Sequence, residues 1–146
     1  MQHHLILRVV TKLLVPSIIL FAFYVQFHGD YGPGGGFQAG VIFASAFILH
    51  GLVYGLRTTQ KVIHPELLKV LAALGVILYA GTGIVSMLLG GEFLNYSVLA
   101  SNSAKGQHLG IFLVELGVGI TVAAIMLTIF YMFADQDDSD SEEDNK

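Results

Sequence analysis

The sequence predicts an all-α membrane protein of four transmembrane helices with both termini in the cytoplasm, and three observations carry that prediction. Of the 146 residues, 54% are hydrophobic and only 12% charged, and mean hydropathy is +0.70. A soluble domain carries about 25% charged residues, so this chain lacks the polar surface needed to cover itself in water. Four apolar runs each reach the roughly 20 residues that a helix needs to cross a bilayer. Lys and Arg cluster on alternate connections between those runs. Without water to satisfy it, backbone this deep in lipid must pair internally, and such uniformly apolar runs do so only as helices. The polar–apolar alternation of a membrane β-barrel is missing.

The first run spans Leu5 to Phe27. Arg8 and Lys12 sit at its start, as in a signal peptide, but it ends Val25-Gln26-Phe27-His28-Gly29-Asp30 with no small-residue cleavage site. It is therefore expected to stay as the first helix, bent at Pro16, where a backbone hydrogen bond is lost. The second run is Phe37 to Leu56, the third Leu67 to Leu89 and the fourth Leu109 to Phe133.

Orientation follows from the basic residues. Arg8, Lys12, Arg57, Lys61, Lys69 and Lys146 fall on one side, and Lys105 alone falls on the other. The richer side is the cytoplasmic one, so both termini are expected inside.

Residues 1–134 read as one four-helix transmembrane domain and 135–146 as an acidic tail. Asp135, Asp137, Asp138, Asp140, Glu142, Glu143 and Asp144 crowd this last stretch, which has no apolar anchor and repels itself. It is expected to be disordered and solvated rather than to dock on a basic partner. The overall charge of -4 comes from this tail, so it says nothing of nucleic acid, and no nucleic-acid partner is expected. The absence of cysteine excludes disulfides, iron–sulfur clusters and thiolate zinc sites, and leaves the redox compartment open. No metal site, cofactor or catalytic constellation is read from the chain, and it is not expected to be an enzyme.

Small residues recur at helical spacing: Gly36, Gly40, Ala44, Gly51 and Gly55 in the second run, Thr82, Ser86 and Gly90 in the third, and Gly106, Gly110, Gly117 and Gly119 in the fourth. In lipid such stripes let helix backbones approach closely. With three of four helices so marked, contacts with other chains are expected beside internal packing.

Between the first two runs lies Gly29-Asp30-Tyr31-Gly32-Pro33-Gly34-Gly35-Gly36-Phe37-Gln38-Ala39-Gly40. Glycine at this density bares backbone amides and permits positive φ, while Pro33 stiffens one point. Gly34-x-Gly36-x-x-Ala39 formally matches a dinucleotide fingerprint, but no strand precedes it and a membrane helix follows. A plain hairpin needs no three consecutive glycines followed by Phe37-Gln38, so an assembly or gating role is expected for this loop.

Glu115 is the main ionisable candidate. It lies among Leu113, Val114 and Leu116, where a carboxylate must be neutral or partnered. Gly119 and Ala123 continue its face in one direction and His108 in the other, which suits a packed interface. His50, in the inner half of the second helix with Tyr54 one turn on, is the second candidate for handling protons or cations. A hydrogen-bonded core role is the more common one for a lone membrane histidine. Asp30 and Glu92 are read as solvated loop residues. One carboxyl on one helix is not an ion pathway, and the chain has no inverted repeat of the kind that builds a transporter core. That points to a subunit of a larger assembly.

The run His3-His4-Leu5-Ile6-Leu7-Arg8-Val9-Val10 and the loop from Phe27 to Gly40 resemble the B subunit of the Mrp (Mnh, Sha) multisubunit cation/proton antiporters. The resemblance runs through all four helices, from Met1 to about Ala134, and Gly29, Asp30, Pro33, Gly34, Gly35, Gly36, Phe37, Gln38 and Gly40 match the family's loop. It implies a multi-pass protein of the bacterial inner membrane, surrounded by lipid and assembled with the other Mrp subunits. The complex as a whole would exchange internal Na+ for external H+, which serves sodium resistance and pH homeostasis. On the residues alone, two other classes stay open. A small homo-oligomeric proton-coupled exporter would place its membrane carboxylate on the first helix, which has none here. A four-helix haem b protein would need paired histidines, and His50 has no clear membrane partner.

Overall fold

The computed structural model describes residues 2–29, 34–100 and 102–143, with side chains over 5–29, 34–100 and 102–136. The elements are α1 (Gln2–Phe27), α2 (Gly36–Tyr54), α3 (Leu56–Val62), α4 (Pro65–Leu88), a 3-10 turn (Tyr96–Val98) and α5 (Ser103–Glu143). Among the described residues there is no strand. As predicted from the four apolar runs, α1, α2, α4 and α5 are each long and apolar enough to cross a membrane.

The boundaries have local causes. The second run breaks at Gly55, whose φ of +91° suits glycine, so that Leu56 begins α3 instead of ending α2. At seven residues, α3 is too short to span a bilayer, and it carries Arg57 and Lys61. Pro65 opens α4 at the first helical position, where its missing N–H is no loss. Past the other end of that helix, Gly90 N–H donates to Met87 O and Gly91 N–H to Ser86 O, each at 3.0 Å. Gly90 holds φ +85° there. That pair of bonds is a Schellman stop, so Gly90 is a helix terminator rather than a member of the packing stripe, as Gly55 is too. α5 starts one and a half turns before its apolar run because the Asn102 side chain caps it, Oδ1 accepting from Ala104 N–H at 3.0 Å. At its far end the backbone stays helical to Glu143, where a disordered acidic tail was expected. Extending an existing helix needs no new nucleus.

α5 is the central element. It packs on α4 along one side and on α2 along the other, and α1 packs on α2. Paired glycines set both contacts. A Cβ on Gly40 would come within 2.6 Å of Gly119 O, and one on Gly75 within 2.6 Å of Gly117 O. Neither contact tolerates a side chain, so backbone meets backbone on both faces of α5. The core proper lies towards the α3 end, where Leu56, Leu68, Ala124, Leu127 and Tyr131 close over Ala44. Tyr131 Oη donates to Ile63 O at 3.1 Å and ties α5 to the chain leaving α3. α1 is the least covered helix, with Leu5, Leu13 and Leu20 all at least two-thirds exposed. In lipid such exposure carries no penalty, because acyl tails are as apolar as leucine.

Candidate functional site at Glu115 and the glycine loop

Glu115 lies twelve residues into α5, about 18 Å from its first residue at about 1.5 Å per residue. There it meets the two ends of the glycine loop. A Cβ on Gly36 would overlap the Glu115 carbonyl, so the first residue of α2 rests directly on the α5 backbone. The carboxylate lies between the loop's two arms. A Cβ on Gly29 would stand 2.7 Å from Oε2 and 3.1 Å from Oε1, and one on Gly35 would stand 3.3 Å from Oε1. Gly35 has φ +136°, a conformation L side chains rarely adopt. Gly29 and Gly35 thus leave the space that the Glu115 side chain fills, and Gly36 leaves room for its backbone.

Gly35 is also the N-cap of α2 and supplies no side-chain cap. Helix N-termini carry partial positive charge on unsatisfied N–H groups, and an acidic group beside them is stabilised. The Glu115 carboxylate is that acidic group, with the Gln38 amide near it: Gln38 Oε1 would stand 3.2 Å from a Gly35 Cβ. The side chain is half-buried. Asp30 and Pro33, the other two loop residues singled out by sequence, lie outside the described residues. Phe37 points outward and is 60% exposed, so its ring adds nothing to the cradle.

His50 is not part of this arrangement. It is fourteen residues beyond Gly36 on α2, about 21 Å away along the axis. Its Nδ1 is 2.8 Å from Thr59 Oγ1, and the fully buried Thr59 hydroxyl donates to Gly55 O at 3.2 Å. With its one proton so used, the hydroxyl accepts from His50 Nδ1–H. The ring stacks on Tyr54 at 4.7 Å, and Tyr54 Oη donates to Arg8 O at 2.8 Å with the Arg8 guanidinium over its ring. His50 therefore locks α3 back onto α2 and, through Tyr54, onto α1. The structure thus supports the hydrogen-bonded core reading of this histidine and does not join it to Glu115.

Two residues escaped sequence reasoning. Gln26, one position before the end of α1, is 7% exposed and packs on Gly119, where an added Cβ would lie 2.7 Å from its Oε1. A lone amide inside an apolar run was the available signal. Tyr96, in the 3-10 turn, fills the space beside Gly110 and Gly106 at the loop end of α5. Burial, then the nearby Tyr79, pushes its phenol above the ordinary tyrosine pKa, so it stays neutral. Nothing in the pattern of the 91–102 loop marked it.

The family model described as a domain related to the MnhB subunit of Na+/H+ antiporter matches residues 6–128. The chain belongs to the MnhB family. Among curated MnhB-type relatives, "Putative antiporter subunit mnhB2" of Staphylococcus aureus strain Newman is 36% identical over 131 residues, 88% of this chain and 92% of the relative. The proteins of the same description from strains USA300 and COL match with the same identity and coverage. The matched stretch runs through all four membrane helices, and with them the Glu115 cradle. Membership in this family places the chain as a small subunit of a multisubunit Na+/H+ antiporter, multi-pass in the bacterial plasma membrane. Neither the autonomous exporter nor the haem protein finds support.

Proposed function

We propose that this MnhB-family chain takes part in the antiporter's ion exchange through Glu115, and that the glycine loop around it serves assembly or gating. The observation that supports this reading is the cradle itself. Gly29 and Gly35, the latter at positive φ, border a single carboxylate at membrane depth, and Gly36 seats α2 on the backbone of the same residue. A carboxyl that can exchange a proton there, beside the N-terminus of α2, is suited to taking up and releasing H+ or Na+. The other subunits of the complex provide the rest of the pathway, since one carboxyl cannot span the membrane. Both termini are assigned to the cytoplasm from the excess of Lys and Arg on that side.

Native-gel electrophoresis of membranes from the host tests the subunit role. The chain should migrate in a large complex with other antiporter subunits, and migration alone would refute it. Within the complex, Glu115→Asp should retain part of the Na+-dependent proton flux because the carboxyl is kept on a shorter arm. A flux no higher than that of Glu115→Ala would count against a transport role for the carboxyl.

A further inference from the structure

Among the described residues, one buried side-chain donor has no hydrogen-bond partner: Nε2 of Gln26, on the last turn of α1. The side chain is 7% exposed. An amide donor left unpaired in hydrocarbon is strongly disfavoured, so this one calls for an acceptor. Its surroundings place it beside Glu115. Gln26 packs on Gly119, which lies one turn deeper than Glu115 on the same face of α5. Gly36 O would stand 3.1 Å from a Cβ on Gly119, while Gly36 itself rests on the Glu115 backbone. On α1 the spacing repeats, because Gly29, which borders the carboxylate, lies three residues past Gln26. Amide and carboxyl are thus stacked about a turn apart, and the residues that meet between them, Gly36 and Gly119, have no side chain to bar the way.

The acceptors at this junction narrow to one. The carbonyls of Gly36 and Glu115 lie inside α2 and α5, where each accepts from the N–H four residues on. Gln38 is exposed and stands on the loop side of Gly35. The Glu115 carboxylate has about four acceptor sites on a flexible side chain. There is also room for it to turn. A groove of about 260 Å³ opens between α1, α2, α4 and α5, with Gln26, Leu116 and Gly119 at its head and Leu68 and Leu127 towards the α3 end. We infer that the Glu115 carboxyl has two positions, one between the arms of the glycine loop and one turned inward, where it accepts from Gln26 Nε2 at the head of the groove. The first position faces the outer loop and the second faces the groove. Gln26 is therefore a positioning residue that holds the carboxyl in its inward position. That role rests on the transport reading of Glu115, whereas the hydrogen bond itself does not.

A mutant cycle on the assembled complex tests the bond. Gln26→Met keeps the length of the side chain and removes the donor. A donor with no partner in any state is a burden, so its removal would leave the melting midpoint of the complex unchanged or raise it. A donor bound to Glu115 leaves the carboxyl short of a partner when removed, and the midpoint should fall. In a Glu115→Met background the same substitution should no longer lower it. No fall in the wild-type background would overturn the inference, and so would a fall of equal size in both. Na+-dependent proton flux at matched amounts of complex then tests the role. In Gln26→Met the pH profile should be displaced by about one unit, as expected for one hydrogen bond to a charged group. Gln26→Asn, which keeps the amide on a shorter arm, should displace it less. Tyr24 and His28 on α1, His108 on α5 and Asp30 in the loop are common to all the variants, and α2 and α4 bring no charged residue to this level. Coupling in the melting cycle with an unmoved flux profile would uphold the bond and overturn the transport reading of Glu115.

Discussion

At the residue scale, the glycines around Glu115 are not interchangeable. Gly35 is held at φ +136°, and Gly36 is pressed on the Glu115 carbonyl. Gly35→Val should introduce backbone strain of roughly 1–3 kcal/mol. Exchange should fall while the chain still inserts, and flux assays on membranes with matched protein levels check this. Full activity would reduce the loop to a plain hairpin. Gly36→Ala acts through overlap rather than φ and forces α2 off α5, at about 1–3 kcal/mol. It should lower the amount of assembled complex, measured on native gels. Thr59→Val removes the acceptor of the His50 Nδ1–H bond and leaves a half-buried donor unpaired, a loss of about 1–3 kcal/mol that thermal melting in detergent would register. An unchanged melting temperature would show that the His50–Thr59 bond contributes nothing net.

Sequence legibility was uneven at this scale. Glu115 stood out because a carboxylate in an apolar run has one physical explanation, a specific local environment. Which groups build that environment is a long-range fact: Gly29, Gly35 and Gly36 are close to Glu115 only once α2 lies on α5. Gln26 carried a weaker signal, since an amide near a helix end is ordinarily solvated at the interface. His50 read first as a hydrogen-bonded core histidine and only second as a relay, on the chemistry of imidazole alone. Its actual partner, Thr59, lies beyond the Gly55 break, which the hydropathy pattern hides.

At the element scale, four membrane helices were legible because lipid leaves backbone no other way to pair. The ends were less so. Hydropathy marks the apolar part of a helix and not its caps, so Asn102 extended α5 at its start and Gly90 stopped α4 by a hydrogen-bond pattern. The stripe of small residues was read correctly for Gly40, Gly117 and Gly119, which meet backbone, and misread for Gly55 and Gly90, where positive φ is the reason for glycine. Since Gly117 and Gly119 are two residues apart on α5, they face different neighbours. Gly117→Val should loosen the contact with α4 and spare the Glu115 cradle on the α2 side. Cysteine pairs placed across α4–α5 and across α2–α5, in a chain that has no native cysteine, would report the two contacts separately. Equal loss of both cross-links would show that α5 does not pack on its neighbours independently.

For the whole molecule, a chain with most of α1 facing outward and one carboxyl at depth is suited to an assembly rather than to transport by itself. A reporter fused at the C-terminus should be active only in the cytoplasm, and a periplasmic phosphatase signal would reverse the topology. Truncation after Ala134 removes the acidic run and no apolar residue, so insertion and exchange should persist. Loss of the complex on truncation would reveal docking by the tail.

The central claim is that the Glu115 carboxyl takes part in ion exchange rather than only filling the space that Gly29 and Gly35 leave for it. Glu115→Gln keeps the size and hydrogen-bonding capacity of the side chain but cannot ionise. The decisive measurement is Na+-dependent proton flux across a range of pH in vesicles containing equal amounts of wild-type and Glu115→Gln complex. Reduced flux or a shifted pH profile with assembly intact is the predicted result. Unchanged flux at every pH would contradict it.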